Sequence, residues 1–443
     1  MQSVLAKLSL CRTQALGGST YQCDSCGDIS KVYHSCGDRH CPQCSGRKRY
    51  DFADRASKLI LPDVTYYQVV FTLPGDLSQM ALANRLSMAE LLFQSAWKSL
   101  RKSIHNEQGY SPAAMMVLHT WNQQLRPHWH VHALVPGAGP SHAGDCWQRA
   151  TAPESAANSD GFYLVDAINL RESFRRHAIA HLKRLRKAGK LKLSGKFTDL
   201  QDDAAWESFC DRLSKVEWVS YIQAPPTKTS TADQVVRYLT RYLTGGPISD
   251  HRIVVADKHA VTFMAREGKQ VGGEERQVPV TLSTAEFVGR WCDHIQPNQL
   301  TKTRYFGGWS NQKRDAYIAQ CQRLLDVKAP PAVQAETRVP FCCNKCEQPT
   351  LRLLSQTPKP SWSDVLYHRD HRCPEWYAEL SKVSFSRYLA ETYGIGYEDW
   401  VLETCLESAI GPPSPIPRSS PSACLQLYLP GLHPAPANAL ESG

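Results

Sequence analysis

The sequence contains no uninterrupted apolar stretch near the roughly 20 residues that a membrane-spanning helix needs. Its opening residues, MQSVLAKLSLCRTQ, lack the charged start, long apolar stretch and small-residue cleavage site of a secretory signal. A GxxxxGKS or GxxxxGKT loop, which would cradle nucleotide phosphates, is also missing. These absences predict a cytoplasmic protein that neither spans a membrane nor uses a nucleotide cofactor.

Basic residues exceed acidic ones by a small margin. The chain has 51 Lys and Arg against 42 Asp and Glu, a net charge of +9, which mildly favours a polyanionic partner such as nucleic acid. The excess is greatest in segment 181–192, where six of twelve residues are Lys or Arg. Two interpretations of this segment stay open: a solvated helix face, or a contact with the DNA backbone through Lys183, Arg184, Arg186 and Lys187.

The 16 cysteines are distributed unevenly along the 443 residues. Six lie between Cys11 and Cys44, and four lie between Cys342 and Cys373. Because cytoplasmic thiols stay reduced, such groups are better explained as metal ligands or small buried side chains than as disulfides. Two cysteine-rich modules are therefore predicted to flank a long central core.

The first module contains two Cys-x-x-Cys pairs, Cys23 with Cys26 and Cys41 with Cys44. Such pairs present thiolates tetrahedrally to Zn²⁺, so we expect these four cysteines to bind one structural zinc ion. Other side chains of this module are numerous enough for a second ion: Cys11, His34, Cys36 and His40. The second module offers a looser set for a further zinc site: Cys343, Cys346, His368, His371 and Cys373.

The central region alternates predicted strands and helices. An apolar run over 66–73 indicates a buried strand, and apolar positions at helical spacing over 76–105 indicate one or two helices. Strands are also predicted over 113–121 and 130–135 around a polar turn, then over 218–223, 252–256 and 260–265. Helices are predicted over 170–187 and over 232–243, and further helical residues are predicted between them as far as 213. This mixture predicts an α/β or α+β core, whereas the Pro- and Ser-rich stretch after 411 predicts disorder.

The segment His128-Trp129-His130-Val131-His132 carries the most specific chemical signal of the core. Along a strand, residues two apart share a face, so His130 and His132 point together and form two ligands for a divalent metal. If the turn is centred between Gln124 and Leu125, His119 lies directly opposite His130 and supplies the third ligand. His128 shares the same face and is the alternative ligand.

A pair of tyrosines follows on the helix predicted over 232–243. Tyr238 and Tyr242 are four residues apart, so both hydroxyl groups project from one helical face. A phenol is a suitable nucleophile for phosphorus when a metal polarises the phosphate. Arg237 and Arg241 flank the pair, and we expect them to hold DNA phosphates.

Three motifs now occur in a characteristic order: Phe71-Thr72-Leu73-Pro74, His130-Val131-His132 and Tyr238-x-x-x-Tyr242. This order resembles that of the HUH endonucleases of the rolling-circle replication-initiator type. With a zinc module ahead of it, the chain resembles the two-tyrosine transposases of the IS91 family of insertion sequences. Further stretches that carry the resemblance are Arg39-His40-Cys41-Pro42-x-Cys44, His119-Thr120-Trp121, Ile248-Ser249-Asp250-His251-Arg252-Ile253 and Arg304-Tyr305-Phe306-Gly307.

The resemblance implies an α+β fold with a ferredoxin-like sheet. It also implies that the histidines bind Mg²⁺ or Mn²⁺ and that a tyrosine joins the 5′-phosphate of single-stranded DNA at transposon ends and target. The expected domains are a zinc module over 1–55, a catalytic domain over 56–310, a C-terminal region over 311–410 and a tail over 411–443. The alternatives are a rolling-circle replication initiator and a zinc-dependent DNA-binding regulator.

Overall fold

The structure is a computed structural model that describes residues 2–44, 55–153, 162–223, 246–266, 276–327, 342–368, 370–375 and 377. The chain divides into two compact units, one made of 1–48 together with 330–443 and the other of 49–329. The division expected from the sequence kept the two cysteine-rich segments apart, whereas contacts within the structure join them in one unit. The predicted tyrosine helix and the tail after 411 lie outside the described residues.

The described helices and strands follow one another along the chain in mixed order. The α-helices, α1 to α7, are Gln2–Ser9, Gly75–Ala83, Arg85–Gln108, Ala167–Lys187, Asp203–Lys215, Thr284–Cys292 and Arg314–Leu325. The strands β1 to β7 are Gly18–Cys23, Ile29–Tyr33, Tyr66–Thr72, Ala113–Trp121, Pro127–Pro136, Ala138–Pro140 and Trp147–Arg149. The strands β8 to β13 are Val219–Gln223, Ile253–Ala256, Ala260–Arg266, Gln277–Ser283, Thr303–Gly307 and Leu351–Thr357. None of the described helices is both long enough and apolar enough to cross a membrane.

The larger unit is built on a five-stranded sheet in the order β12-β4-β5-β3-β8, in which all neighbours are antiparallel. Sheet residues such as Phe71 and Val131 are fully buried on one face against α3 and α4, where Phe174 lies 5.0 Å from Phe71 between ring centroids. This arrangement confirms the α+β fold. Among the described residues, the strands predicted for the core recur with small shifts of their ends, and so does the helix predicted over 170–187; β5 begins at Pro127 and α4 at Ala167.

The opposite face of the sheet is covered only in part by apolar packing. Tyr66, Met115 and Leu134 pack there with Trp309 and Tyr317, the latter from α7. Because side chains alternate along each strand, the same face continues toward the β4–β5 turn through positions 68, 117, 119, 130 and 132. The apolar half of this face thus leads directly into a polar half.

The smaller unit contains a three-stranded antiparallel sheet in the order β13-β1-β2. Its outer strand β13 belongs to the C-terminal segment, and Cys23 at the end of β1 pairs with Leu351 at the start of β13. Little apolar surface is buried here, because six of the seven β13 residues are exposed. Packing alone therefore stabilises this sheet weakly.

Candidate active site and metal centres

Three histidines converge on the polar half of the central sheet. His119 lies on β4, His130 and His132 lie on β5, and the strand register places His119 directly opposite His130, as predicted. One nitrogen from each ring falls within 4.8 Å of the others. The ring centroids are 4.7 to 5.4 Å apart. Antiparallel pairing thus brings together side chains from two strands at a spacing that a single cation can bridge.

Burial keeps the imidazoles of His130 and His132 neutral. The pKa of His132 is lowered to about 4 by burial and by the nearby His128. Burial also holds the pKa of His130 well below its ordinary range, and the neighbouring His132 and His128 lower it further. A neutral imidazole has a free lone pair for a metal, whereas a protonated one does not. These two rings can therefore act as ligands at neutral pH.

The second nitrogen of two rings is fixed by a hydrogen-bond partner. His130 Nδ1 lies 2.8 Å from the carbonyl oxygen of His128, and His132 Nδ1 lies 2.8 Å from the side-chain nitrogen of Gln68. An Nδ1–H that donates to an oxygen leaves Nε2 free as a ligand, which is the usual arrangement around protein metals. His128 thus contributes its backbone, and its ring is not one of the three grouped imidazoles.

Gln68 is a site residue that sequence reasoning missed. Its side chain is buried at 6% exposure on β3, and within the described part of the chain its Oε1 has no hydrogen-bond partner. The amide can turn either its NH₂ or its oxygen to His132, but only the oxygen accepts the Nδ1–H that metal binding requires. The available signal was a single polar residue inside the apolar run Tyr66-Tyr67-Gln68-Val69-Val70.

The turn that joins the two histidine strands is held by donors from elsewhere in the unit. Leu125 at its centre is buried with a φ of +61°, and its carbonyl accepts from His294 Nε2 at 2.9 Å. The carbonyls of Gln123 and Gln124 accept from Arg252 and Arg290 at 2.6 and 3.0 Å. These contacts hold the register that sets His119 opposite His130.

His294 connects the same turn to β4. Its Nδ1 lies 3.1 Å from the Thr120 hydroxyl, while burial lowers the pKa of His294 to about 4. Trp121 stacks on His119 with ring centroids 4.9 Å apart, and its ring lies 5.8 Å from that of His294. Sequence analysis did not identify His294, because its partners are 169 and 174 residues away.

Among the described residues, eight cysteines form two groups of four, and neither group is the predicted one. Cys11, Cys36, Cys41 and Cys44 form one group, and Cys23, Cys26, Cys343 and Cys346 form the other. The prediction that Cys23, Cys26, Cys41 and Cys44 share one zinc ion is corrected, because the first pair faces the C-terminal segment. In the first group the sulfur atoms of Cys11 and Cys36 are each 3.6 Å from that of Cys44.

Several other predicted zinc ligands lie outside both groups. His34 Nε2 is 3.0 Å from the carbonyl of Thr357, and His40 Nδ1 is 2.9 Å from Asp38. His368 faces Asp364 at 3.2 Å, and the thiol of Cys373 lies near the carbonyl of Pro374. Among the described residues, neither these side chains nor His371 belong to a metal-sized cluster.

The basic segment lies on α4 and continues beyond it. Lys183 and Arg186 form ion pairs with Glu207 and Asp203 of α5, both at 2.6 Å, and Arg186 also covers the ring of Trp206. Arg184 and Lys187 are exposed at the C-terminal end of α4. Two of the four residues predicted to contact DNA, Lys183 and Arg186, therefore form ion pairs between two helices. The other predicted contacts, Arg237 and Arg241, lie outside the described residues, as do Tyr238 and Tyr242.

Comparison with known proteins defines the class of protein. Residues 1–73 match a family model described as "Transposase zinc-binding domain", and residues 113–316 match one described as "Putative transposase". The fold, the cysteine clusters and these two matches define a transposase with a zinc-binding domain. The chain belongs to the IS91 family of transposases.

Two curated relatives extend over most of the chain. The chain is 33% identical over 359 residues to "Putative transposase y4qJ" of Sinorhizobium fredii. The aligned region covers 80% of this chain and 85% of that protein. The chain is 25% identical over 354 residues to the "Transposase for insertion sequence element IS801" of Pseudomonas savastanoi, covering 77% and 80%. No solved structure matches the chain. The prediction of the family is thus confirmed, and DNA is the substrate of this transposase.

The first cysteine group yields a test of the corrected zinc ligands. We expect Cys36→Ser to remove one zinc ion per chain, because a structural site needs all four thiolates. His34→Ala should keep that ion, since its ring hydrogen-bonds Thr357 instead. Zinc would be measured by elemental analysis of the purified full chain. Retention of zinc in Cys36→Ser, or its loss in His34→Ala, would contradict this ligand set.

Proposed function

We propose that this transposase cleaves and rejoins single-stranded DNA, using a tyrosine nucleophile and a divalent cation held by His119, His130 and His132. Transposition then follows a rolling-circle route in the cytoplasm. The observation that supports this function most strongly is the convergence of three imidazoles on one face of the sheet. Three protein ligands leave coordination positions for a phosphate oxygen, as in catalytic rather than structural metal sites.

The donor set fits Mn²⁺ better than Mg²⁺. Imidazole nitrogen suits transition metals, whereas Mg²⁺ prefers carboxylate, carbonyl and water oxygen. The group of three histidines includes no carboxylate among the described residues. When bound, the cation supplies Lewis-acid polarisation of the scissile phosphate. His128 and Gln68 would keep the ligand rings oriented through their contacts with His130 and His132.

The covalent chemistry conserves the number of phosphodiester bonds. The hydroxyl of Tyr238 or Tyr242 loses its proton as its oxygen bonds to phosphorus, the bond from phosphorus to the 3′-oxygen breaks, and that oxygen takes up a proton to become a 3′-hydroxyl. A 5′-phosphotyrosine results, and a 3′-hydroxyl later attacks it to reform DNA and release the phenol. Because one ester replaces another, the reaction needs no nucleotide, in agreement with the missing phosphate-binding loop.

A second tyrosine solves the problem of an occupied nucleophile. After the first cleavage one phenol carries DNA, and a second strand must be cut before rejoining. Tyr238 and Tyr242 stand at helical spacing in the sequence, so the second can act while the first retains its strand. Arg237 and Arg241 beside them, together with the exposed Arg184 and Lys187, would contact the DNA backbone.

The metal site is tested by a double substitution with a matched control. His130→Ala combined with His132→Ala should lower cleavage of a single-stranded oligonucleotide by about 100-fold or more, because Lewis-acid stabilisation is worth several kcal/mol. Binding of the oligonucleotide should change little, since affinity comes mainly from phosphate contacts. The control is His105→Ala with His142→Ala, a second close pair with ring centroids 4.0 Å apart. Full cleavage by the first double variant would refute the assignment.

The two-nucleophile proposal is tested on the tyrosines themselves. Tyr238→Phe and Tyr242→Phe should each still form some covalent DNA adduct on denaturing gels, and each should fail to complete transposition. The double variant should form no adduct, because no phenol is left to attack phosphorus. Tyr305→Phe is a suitable control, as this tyrosine lies on β12. Normal transposition by Tyr242→Phe would show that a single tyrosine suffices.

A further inference from the structure

We propose that Cys23, Cys26, Cys343 and Cys346 bind a structural Zn²⁺ of their own, a centre assembled jointly from the N-terminal and C-terminal segments. The family model for the zinc-binding domain ends at residue 73 and therefore contains only half of these ligands. This centre is separate from the group of Cys11, Cys36, Cys41 and Cys44. It does not depend on the catalytic function proposed above.

The spacing of the sulfur atoms matches a zinc site and excludes disulfides. The sulfur of Cys23 is 3.5 Å from that of Cys346, and the sulfur of Cys26 is 3.7 Å from that of Cys343. Four ligands at a Zn–S distance of about 2.3 Å in a tetrahedron lie about 3.8 Å apart. A disulfide would bring two sulfurs to about 2.05 Å. Two sulfur pairs therefore stand close to the separation that zinc requires, and all four sulfur atoms lie within 4.8 Å of one another.

The two Cys-x-x-Cys segments have the same backbone hydrogen bonds. Cys23 N donates to the carbonyl of Asp28 at 2.9 Å, and Cys343 N donates to the carbonyl of Gln348 at 2.8 Å. The fourth residue after each of these cysteines, Gly27 or Glu347, donates its N–H to the cysteine carbonyl at 2.8 Å. Two segments of unrelated sequence thus form the same ligand-bearing turn.

In both turns the residue after the second cysteine has a left-handed backbone conformation. Gly27 has a φ of +72°, which glycine adopts without steric cost. Glu347 has a φ of +58°, a conformation that is sterically unfavourable for a residue with a side chain. A strained residue persists only where its surroundings fix the backbone. A metal bound by Cys343 and Cys346 supplies that constraint.

Burial of the thiols does not explain this cluster. Cys26 is exposed and Cys346 is half-buried, so the four residues do not form an apolar core. Strand β13, which follows Cys346, is mostly exposed as well. It pairs with β1 from Cys23, the last residue of that strand, back to Gly18. Because Cys26 and Cys343 are 317 residues apart, a cross-link between them closes a very long loop. Zinc binding is the interaction that offsets this entropy.

The proposal gives the C-terminal segment a definite role. The chain of the larger unit, 49–329, is inserted in sequence between the two halves of one zinc-binding unit. A fragment that ends near residue 73 would keep the first cysteine group and lose half of the second. The zinc-binding unit would be complete only after Cys346 has been synthesised.

The proposal is tested on the wild-type full chain by alkylation and mass spectrometry. With zinc bound, Cys343 and Cys346 should react with iodoacetamide at least about tenfold more slowly than Cys146, which is exposed outside both groups. A zinc chelator should abolish the protection of all four cysteines, Cys23, Cys26, Cys343 and Cys346. Equal reactivity of Cys343, Cys346 and Cys146 in the zinc-loaded protein would overturn the proposal.

A double variant tests how many zinc ions this cysteine group binds. Cys343→Ser with Cys346→Ser should contain one zinc ion fewer per chain than wild type, whereas Cys342→Ser, next to the cluster but outside it, should contain the same amount. Unchanged zinc in the double variant would contradict the proposal. Should that variant fail to fold, the alkylation of the wild-type chain decides the question alone.

Discussion

The antiparallel pairing of β4 with β5 is the constraint on which the candidate active site depends. It places His119 opposite His130, and the two-residue period of the strand puts His132 on the same face. A slip of one residue would turn one strand's histidines toward the buried core around Val131 and Leu118. The turn is accordingly held by three separate donors, Arg252, Arg290 and His294.

Electrostatics and burial support the same arrangement. Burial favours the neutral form of His130 and His132, and the hydrogen bond of His130 Nδ1 to the His128 carbonyl leaves the other nitrogen of that ring available. The smaller unit follows a different principle. Strand β13 is mostly exposed, and the apolar clusters of this unit are small, so cysteine groups of metal-binding size take a larger share in its architecture.

Local signals in the sequence were enough to predict four of the five strands of the central sheet, all but β12, and the pairing of His119 with His130. These signals are the apolar run of β3, the alternation in β5 and the position of the turn between β4 and β5. Each spans no more than about 20 residues, a distance over which strand geometry fixes which residues face each other. The cysteine grouping could not be predicted in that way. A Cys-x-x-Cys turn has no preference for its partner turn, and the partner of Cys23 and Cys26 lies more than 300 residues later. Gln68 and His294 were missed for a related reason, because their roles come from residues on other strands and loops.

The central claim is that His119, His130 and His132 form a single metal centre. Anomalous diffraction at the manganese edge, from crystals of the full chain soaked in Mn²⁺, tests it most directly. The account predicts one strong peak within about 2.3 Å of a ring nitrogen of all three histidines, with His132 Nδ1 still bonded to Gln68. A peak bound by only two of them, or bound at another place while these rings stay without metal, would contradict it.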